Sequence, residues 1–283
     1  MTGPTPPDSL HSAGAYDDDT MYMSHTAAEH RAHMDLPDDY TVAGVLAYGT
    51  WDLHAESEQV PQLVAALERR GIEPRLKRVD RPIIGHAWEL DVGDERFWFA
   101  PVMGTAVMAT YLHLASLFGS RRNILLGVVG GLAPGMRNGD LIVPTAVVGN
   151  DSARMYDRAN SSDIHFPDAA LTERLIALLA DDERSWTGTT TTCEMMLAET
   201  RQDVDDWSAA GMLGVEMEGA MTFALSRHFQ VPSTALFYVT DNLVENETLL
   251  SAAHKAQHAA RARSRSRQYD LGLELLLEDA TAR

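Results

Sequence analysis

From residue 42 onward, short apolar runs alternate with longer amphipathic segments, and this alternation constrains the fold more than any other feature of the sequence. The runs 124–126 and 235–239 are apolar at consecutive positions, which is typical of strands that helices cover on both faces. Candidate strands are residues 42–46, 97–102, 124–129, 141–148, 186–192, 212–215 and 234–240. Candidate helices are residues 58–70, 106–118, 169–180, 199–209, 217–229 and about 249–277. The pattern predicts a single-domain, three-layer α/β/α fold with a mixed, largely parallel central sheet.

The first 38 residues lack this pattern. They contain four prolines and the acidic run 17–19, but no sustained apolar period. We therefore expect residues 1–38 to be a flexible, partly helical N-terminal tail and residues 39–283 to form the folded domain. His25, His30 and His33 could share a helix face, but no carboxylate or cysteine completes a ligand set, so we expect no metal site.

The charge balance excludes several classes of partner. The chain has 41 Asp and Glu against 23 Lys and Arg, a net charge of −18, which argues against nucleic-acid and membrane partners.

No apolar run reaches the ~18 residues that cross a bilayer, and the N-terminus lacks a signal-peptide pattern; we expect a cytoplasmic protein. Cys193 is the single cysteine, which excludes an internal disulfide. The four arginines of the run 261–267 are predicted to form a solvated helix face.

Three predicted strands end in residues that suit ligand binding, which in α/β sheets takes place beyond the carboxyl ends of strands. Gly130 and Gly131 follow the third candidate strand and would let backbone amides approach a ligand, although a tight turn explains them equally. Thr240, Asp241 and Asn242 close the most apolar strand. Asp241 could cap a helix, or it could act as an acid if partial burial raises its pKa.

The third junction carries two carboxylates. Glu216, Met217 and Glu218 stand between the candidate strand 212–215 and the candidate helix 217–229. Carboxylates at a helix N-terminus can simply complement the helix dipole. Alternatively, one of them can hold the vicinal diol of a sugar with two charge-assisted hydrogen bonds, while Met217 offers an apolar floor.

Three segments carry a family resemblance: VVGGLAPGMRNGDLIVPTAVV at 128–148, GVEMEGA at 214–220 and VTDN at 239–242. In this order and spacing they resemble the nucleoside phosphorylase and nucleosidase superfamily, which includes purine nucleoside phosphorylase, uridine phosphorylase and methylthioadenosine/adenosylhomocysteine nucleosidase. The similarity extends over about 42–275. It implies a phosphorylase/hydrolase-like catalytic domain at 39–283 that cleaves the N-glycosidic bond of a small-molecule nucleoside. It also implies a homo-oligomer (a dimer, trimer or hexamer) and no cofactor.

The resemblance implies roles for individual residues. Glu218 is expected to hold the ribose 2′- and 3′-hydroxyls, with Met217 under the sugar, and Asp241 to donate a proton or hydrogen bond to the leaving base. Met196 stands where the family has a base-stacking phenylalanine. The remaining expected substrate contacts are Gly130, Gly131, Glu194, Glu216 and Asn242.

The sequence departs from the family at the phosphate site. Family phosphorylases bind phosphate with an arginine in a Gly-Asp-Pro-x-Arg loop after the first strand, and with a second arginine and a serine around the glycine that matches Gly127. The corresponding residues here are His54, Leu125 and Val128, which lack the forked donors that match phosphate oxygens. The chain is therefore predicted to be a nucleosidase.

In that reaction water attacks the sugar, and Asp52, His54 or Glu56 is expected to orient it. Three alternatives remain open at this point. The chain could be a phosphorylase with an altered phosphate site that takes phosphate as co-substrate. It could be a nucleoside-binding protein without turnover, against which the retention of Glu218 and Asp241 argues, or a family member diverted to other biosynthetic chemistry.

Overall fold

The computed structural model describes residues 25–51, 55–149, 151–157 and 163–281. Within them the strands are β1 (Gly44–Gly49), β2 (Leu76–Val79), β3 (Ala87–Val92), β4 (Glu95–Val102), β5 (Asn123–Gly131), β6 (Leu141–Val148), β7 (Ile164–His165), β8 (Ser185–Thr192), β9 (Gly214–Glu216) and β10 (Ser233–Asn242). The helices are α1 (Ala27–His33), α2 (Ala55–Arg69), α3 (Thr105–Leu117), α4 (Asp151–Arg154), α5 (Ala169–Leu178), α6 (Arg201–Ala209), α7 (Gly219–His228), α8 (Ala252–Ala256) and α9 (His258–Thr281).

The strands form one mixed sheet in the order β10-β6-β8-β9-β5-β1-β4-β3-β2, with β7 beside β6. The pairings β1–β4, β1–β5, β10–β5, β6–β8 and β8–β9 are parallel. The others, β10–β6, β5–β9, β2–β3, β3–β4 and β6–β7, are antiparallel. Because β10 also pairs with β5, strands β5, β10, β6, β8 and β9 close into a ring. The sheet is thus mixed as predicted, but part of it curls into a barrel-like unit.

Helices cover both faces of the sheet, which confirms the predicted fold class. One face packs on a core with residues of α3 and α7, and the other packs on a core with residues of α2, α5 and α9. Every candidate strand, and every candidate helix but the last, corresponds to one element of the structure, with shifts of a few residues at its ends. The last candidate helix, about 249–277, is divided at Gln257 into α8 and α9.

The hairpin β2–β3 was not predicted. It lies at the sheet edge, where Lys77 and Arg78 are exposed and Glu89 and Asp91 are half-buried. An edge strand with one solvated face does not carry the continuous apolar run by which the central strands were recognised.

Two expectations about surface segments change. Within the predicted tail, residues 27–33 form α1, and Met34 is fully buried in the core. Residues 1–24 lie outside the described residues, so the division of the chain near residue 38 otherwise stays a prediction.

The arginine run was expected to be solvated, yet Arg261 is buried and Arg265 is half-buried, because both hydrogen-bond to residues of the core. Among the described helices, none is long and apolar enough to cross a membrane.

Candidate active site

A cleft of about 400 Å³ opens at the carboxyl ends of β1, β5, β9 and β10. This is the edge of an α/β sheet where ligands bind. Side chains and backbone from several loops complete its wall, and most of them are apolar. The described residues that line it are Gly49, Thr50, Trp51, Met103, Val128, Val129, Gly130, Cys193, Met196, Leu197, Glu199, Val215, Glu216, Met217, Glu218, Thr240, Asp241, Leu243, Thr248, Leu249 and Leu250.

Glu216 anchors the start of α7. Its carboxylate accepts hydrogen bonds from the Thr192 hydroxyl and from the backbone amides of Glu218, at 2.6 Å, and Gly219. These amides belong to the helix N-terminus, where backbone donors have no partner within the helix. The start of α7 therefore stabilises the anionic form of Glu216. This is the role at a helix N-terminus that the sequence analysis gave as the alternative to sugar binding.

Glu218 faces the cleft from the same junction and is almost fully buried. The Gly104 amide, at the start of α3, donates to its Oε1 at 2.6 Å. The other carboxylate oxygen lies against Gly49, where a β-carbon would stand 2.5 Å from Oε2. Only glycine at residue 49 leaves room for this carboxylate.

The two glutamates influence each other's protonation. Burial raises the pKa of both carboxyls above the ordinary range, and the charge of Glu216 raises that of Glu218 further. Because Glu216 accepts three donated hydrogen bonds, the proton of the pair resides on Glu218. A protonated Glu218 must lose its proton before both of its oxygens can accept hydrogen bonds from the two hydroxyls of a diol.

Asp241 lies across the cleft at the end of β10. The pairing of β10 with β5 shifts in register between Val239 and Asp241, so that Thr240 and Asp241 both line the cleft although consecutive strand residues normally face opposite sides. The Thr240 hydroxyl donates to Asp241 Oδ1 at 2.6 Å. Burial raises the pKa of Asp241, and the Thr240 hydroxyl and the nearby His254 partly oppose this shift. The raised pKa favours a protonated carboxyl, which can serve as an acid.

A third carboxyl, Glu199, lines the same part of the cleft and was not predicted. The Cys193 thiol donates to its Oε1 at 3.0 Å, and no described residue donates to Oε2. Burial raises the pKa of Glu199, and the neighbouring charge of Asp241 raises it further. Burial also raises the pKa of Cys193, so the thiol stays protonated and remains a donor. The Glu199–Cys193 pair therefore leaves Oε2 of Glu199 as a hydrogen-bond acceptor at the cleft.

The region expected to hold phosphate is apolar in the described residues. Val128 lines the cleft, and Leu125 is fully buried in the core below it. The described lining residues include no arginine, lysine or histidine. Asp52, His54 and the side chain of Glu56 lie outside the described residues, so their predicted contact with the nucleophile stays a prediction.

The structure brings half of the other six predicted substrate contacts into the cleft. Met217, Met196 and Gly130 line the cleft, but Gly131 and two polar residues do not. Asn242 is fully buried, and its amide donates to the backbone carbonyls of residues 133 and 136, which ties down the loop after β5. Glu194 is exposed and accepts a hydrogen bond from Thr105 at 3.1 Å.

Several lining residues carried no sequence signal. The loop after β10 contributes Leu243 and residues 248–250, and the loop after β4 contributes Met103. These positions are apolar side chains in irregular segments, which no periodicity distinguishes from ordinary loop residues. Glu199 and Gly49 are close in sequence to motifs that were recognised. Their position at or shortly after the end of a predicted strand could have identified them as candidate site residues.

No group of three or more His, Cys, Asp or Glu side chains within the described residues could hold a metal ion.

Comparisons with known proteins show the family and the fold. Residues 57–274 match the family described as the Phosphorylase superfamily. A guanosine phosphorylase from Halorubrum lacusprofundi is 32% identical over 119 residues, which cover 42% of this chain and 49% of that protein. The match thus spans about half of the relative's length.

Solved structures share the fold at low identity. A uridine phosphorylase from Vibrio fischeri ES114 superposes with a TM-score of 0.67 at 15% identity, over 85% of this chain and 94% of that one. A 5′-methylthioadenosine/S-adenosylhomocysteine nucleosidase from Campylobacter jejuni gives 0.64 at 13% identity, over 84% and 99%.

Proposed function

The chain belongs to the phosphorylase superfamily, and from this premise we propose that it hydrolyses the N-glycosidic bond of a purine nucleoside. The observation that carries the proposal is that Glu218 and Asp241 line one cleft, both nearly inaccessible to solvent. Two carboxyls held in different environments can take different protonation states and therefore different roles.

The chemistry requires charge stabilisation at both ends of the breaking bond. Positive charge grows on the sugar and negative charge on the base as the bond lengthens. The Glu218 carboxylate accepts hydrogen bonds from the 2′- and 3′-hydroxyls and stabilises the sugar. Asp241 gives its proton to N7 of the purine, while the electron pair of the C1′–N9 bond passes to the base.

Water is the proposed nucleophile. A phosphate anion is bound most strongly by cationic donors. The described lining of the cleft supplies hydroxyls from Thr50, Thr240 and Thr248 but no cationic side chain, and Val128 is apolar. Water attacks C1′ and releases one proton to the solvent, from which Asp241 regains the proton that it gave to the base, so that the products are the free base and the free sugar.

Phosphorolysis is the second candidate, and the guanosine phosphorylase relative favours it. In that case a cation from outside the described lining supports the phosphate, and the sugar leaves as its 1-phosphate.

We also propose a 6-oxopurine as the base. Glu199 lines the cleft and, once it has lost its proton, its carboxylate accepts hydrogen bonds from N1–H and the 2-amino group of guanine through the oxygen that Cys193 does not contact. Adenine presents an unprotonated N1 at the same edge, so that two acceptors would face each other. The similarity to a guanosine phosphorylase supports this base class.

A homo-oligomer remains part of the proposal. Apolar side chains around the cleft mouth are largely exposed in the single chain, among them Trp51, Leu197 and Leu250, and a second copy would cover them. Light scattering coupled to size-exclusion chromatography measures the mass. A monomer at micromolar concentration contradicts this part of the proposal.

Product analysis tests the reaction. Purified protein is incubated with guanosine, inosine, adenosine and uridine in buffer with and without millimolar phosphate, and the sugar products are identified. Free ribose at a rate independent of phosphate supports hydrolysis. A rate proportional to phosphate, with ribose 1-phosphate accumulating, supports phosphorolysis. Absence of base release from every nucleoside contradicts the proposed function.

A further inference from the structure

A second group of titratable side chains lies outside the cleft, where α1 packs against α3 and α7. The ring centroids of His25 and His30 are 6.0 Å apart, and those of His30 and His113 are 6.1 Å apart. His113 stands edge-on to Phe229 at 5.0 Å, and His228 contacts the same phenyl ring at 4.9 Å. The four imidazoles and the phenyl ring form a continuous aromatic column from α1 to the end of α7.

The two central imidazoles of the column, His30 and His113, have few hydrogen-bond partners among the described residues. Nδ1 of His113 lies 3.1 Å from the Tyr156 hydroxyl. Nε2 of His30 is buried and has no hydrogen-bond partner among the described residues. A neutral imidazole tolerates this environment because it packs as an aromatic ring, whereas an imidazolium there would lose its solvation.

The charges around the column are unevenly distributed. Its titratable and charged neighbours are His25, Glu29, Arg31 and His33 on α1, Tyr156 and Asp157 after α4, Arg227 on α7, and Asp163 and His165 at β7. Asp157 lies 3.6 Å from His165 and favours the charged form of His228, so the α7 side has a carboxylate partner. On the α1 side Glu29 is exposed and lies near His25. The titratable groups nearest to a protonated His30 or His113 are therefore mainly other imidazoles, which do not stabilise the added positive charge.

Burial makes protonation of the column unfavourable while α1 is docked. It lowers the pKa of His30 and His228, and it lowers that of His113 to about 4 from an ordinary value of 6.5. A histidine whose pKa is depressed by a contact favours that contact above pH ~6.5 and weakens it as the pH falls toward the depressed pKa.

The remaining attachments of α1 are few. Arg31 Nε donates to the Tyr40 carbonyl at 2.8 Å, and its guanidinium lies 5.5 Å from the centroid of the Phe118 ring at the end of α3. Ala27 packs against the core, and Met34 enters it just after the helix. The helix has seven residues and none of them is buried, so it is too short to be stable by itself. Its position depends on its contact with α3.

We propose that the contact between His30 and His113 is an acid-sensitive latch, which holds α1 against α3 at neutral pH and releases α1 in mild acid.

Hydrogen–deuterium exchange of the full-length protein tests the latch at pH 7.5 and pH 5.0, after correction for intrinsic exchange rates. Residues 27–34 are expected to lose protection by up to about 30-fold at pH 5.0, the factor that the shift of His113 alone allows. Peptides from α5 are expected to keep theirs. His30→Phe preserves an aromatic contact without a titrating ring, and its α1 is expected to stay protected at both pH values.

Two further variants complete the design. His113→Gln retains a polar group beside Tyr156 and should also weaken the pH dependence, so that the test stands if His30→Phe does not fold. His86→Gln alters an exposed histidine elsewhere and should behave as the wild type. The proposal is overturned by wild-type α1 protection that does not change with pH. It is equally overturned by loss of protection throughout the molecule at pH 5.0, or by an unchanged loss in both latch variants.

Discussion

At the residue scale, the environments of the cleft carboxyls decide what each can do. Glu216 accepts hydrogen bonds from two amides at the start of α7 and from the Thr192 hydroxyl. Glu218 accepts one from the Gly104 amide, and Asp241 accepts hydrogen bonds from the Thr240 hydroxyl and the Leu249 backbone. Burial raises the pKa of all three, and all three line the cleft, but the donors to Glu216 belong to the helix that it caps. The motif around Glu216 therefore contains one structural carboxylate and one candidate sugar ligand.

Asp241→Asn tests the acid. The amide keeps the size of the side chain but cannot deliver a proton to the base, so base release is expected to slow by about 10²–10⁴-fold. The melting temperature should not fall, because the variant removes a buried ionisable group. Asp181→Asn, an exposed site after α5 that does not line the cleft, serves as the control. Wild-type rates in Asp241→Asn on a substrate that the enzyme cleaves would show that another group protonates the base.

Glu199→Gln tests base selection. A glutamine at this position presents an amide in place of an ionised acceptor, so the preference for guanosine over adenosine in kcat/KM should fall by about 10- to 100-fold, the worth of a hydrogen bond to a charged group. Glu173→Gln, exposed on α5, makes the same charge change away from the cleft. Calorimetric titration with guanine and adenine gives the same comparison without turnover. An unchanged ratio in both measurements refutes the role of Glu199.

At the scale of elements, the sequence predicted the strands that helices cover on both faces because burial on both faces leaves a continuous apolar run. It also placed Glu218 and Asp241 at strand ends, and both line the cleft. The edge hairpin β2–β3 lacked such a run and was missed.

The closure of five strands into a ring could not be predicted from continuous apolar runs. It depends on β10 pairing with both β5 and β6, which is a property of long-range packing and not of local periodicity. The register shift after Val239 is of the same kind, since no turn residue marks it in the sequence. This shift puts Thr240 beside Asp241 in the cleft, so one part of the site geometry was inaccessible to sequence reasoning.

Gly49→Ala probes the junction of β1 with α7. The added methyl group would stand 2.5 Å from Oε2 of Glu218 and push the carboxylate from its place beside the Gly104 amide. We expect KM for the nucleoside to rise about 10- to 100-fold, since a misplaced ligand loses a charged hydrogen bond. Thermal stability should change little, because the displaced atom is the end of a flexible side chain. Gly85→Ala meets no atom within 4 Å and should match the wild type; equal KM values in the two variants would contradict the assigned contact.

At the scale of the whole molecule, two buried clusters make stability depend on pH in opposite directions. The histidine column has depressed pKa values, so its contribution to stability is complete above pH ~6.5 and declines in acid. The carboxyl pair in the cleft has raised pKa values, so its contribution is complete below the ordinary value of 4.5 and declines as the pH rises. The fold is therefore expected to be most stable at intermediate pH.

Glu218→Gln separates stability from function. Above neutral pH the wild type must bury a second negative charge beside Glu216 in the empty cleft, and the neutral amide of the variant removes this repulsion. The melting temperature at pH 8 should rise by about 3 °C or more, since 1 kcal/mol corresponds to roughly 2–4 °C in a domain of this size. At pH 5, where Glu218 carries its proton, the two proteins should melt together. Base release should fall at both pH values because the variant lacks the carboxylate that stabilises the sugar. Glu173→Gln again controls for the loss of one charge. If the difference in melting temperature between wild type and Glu218→Gln is the same at pH 5 and pH 8, Glu218 is not protonated in the free enzyme.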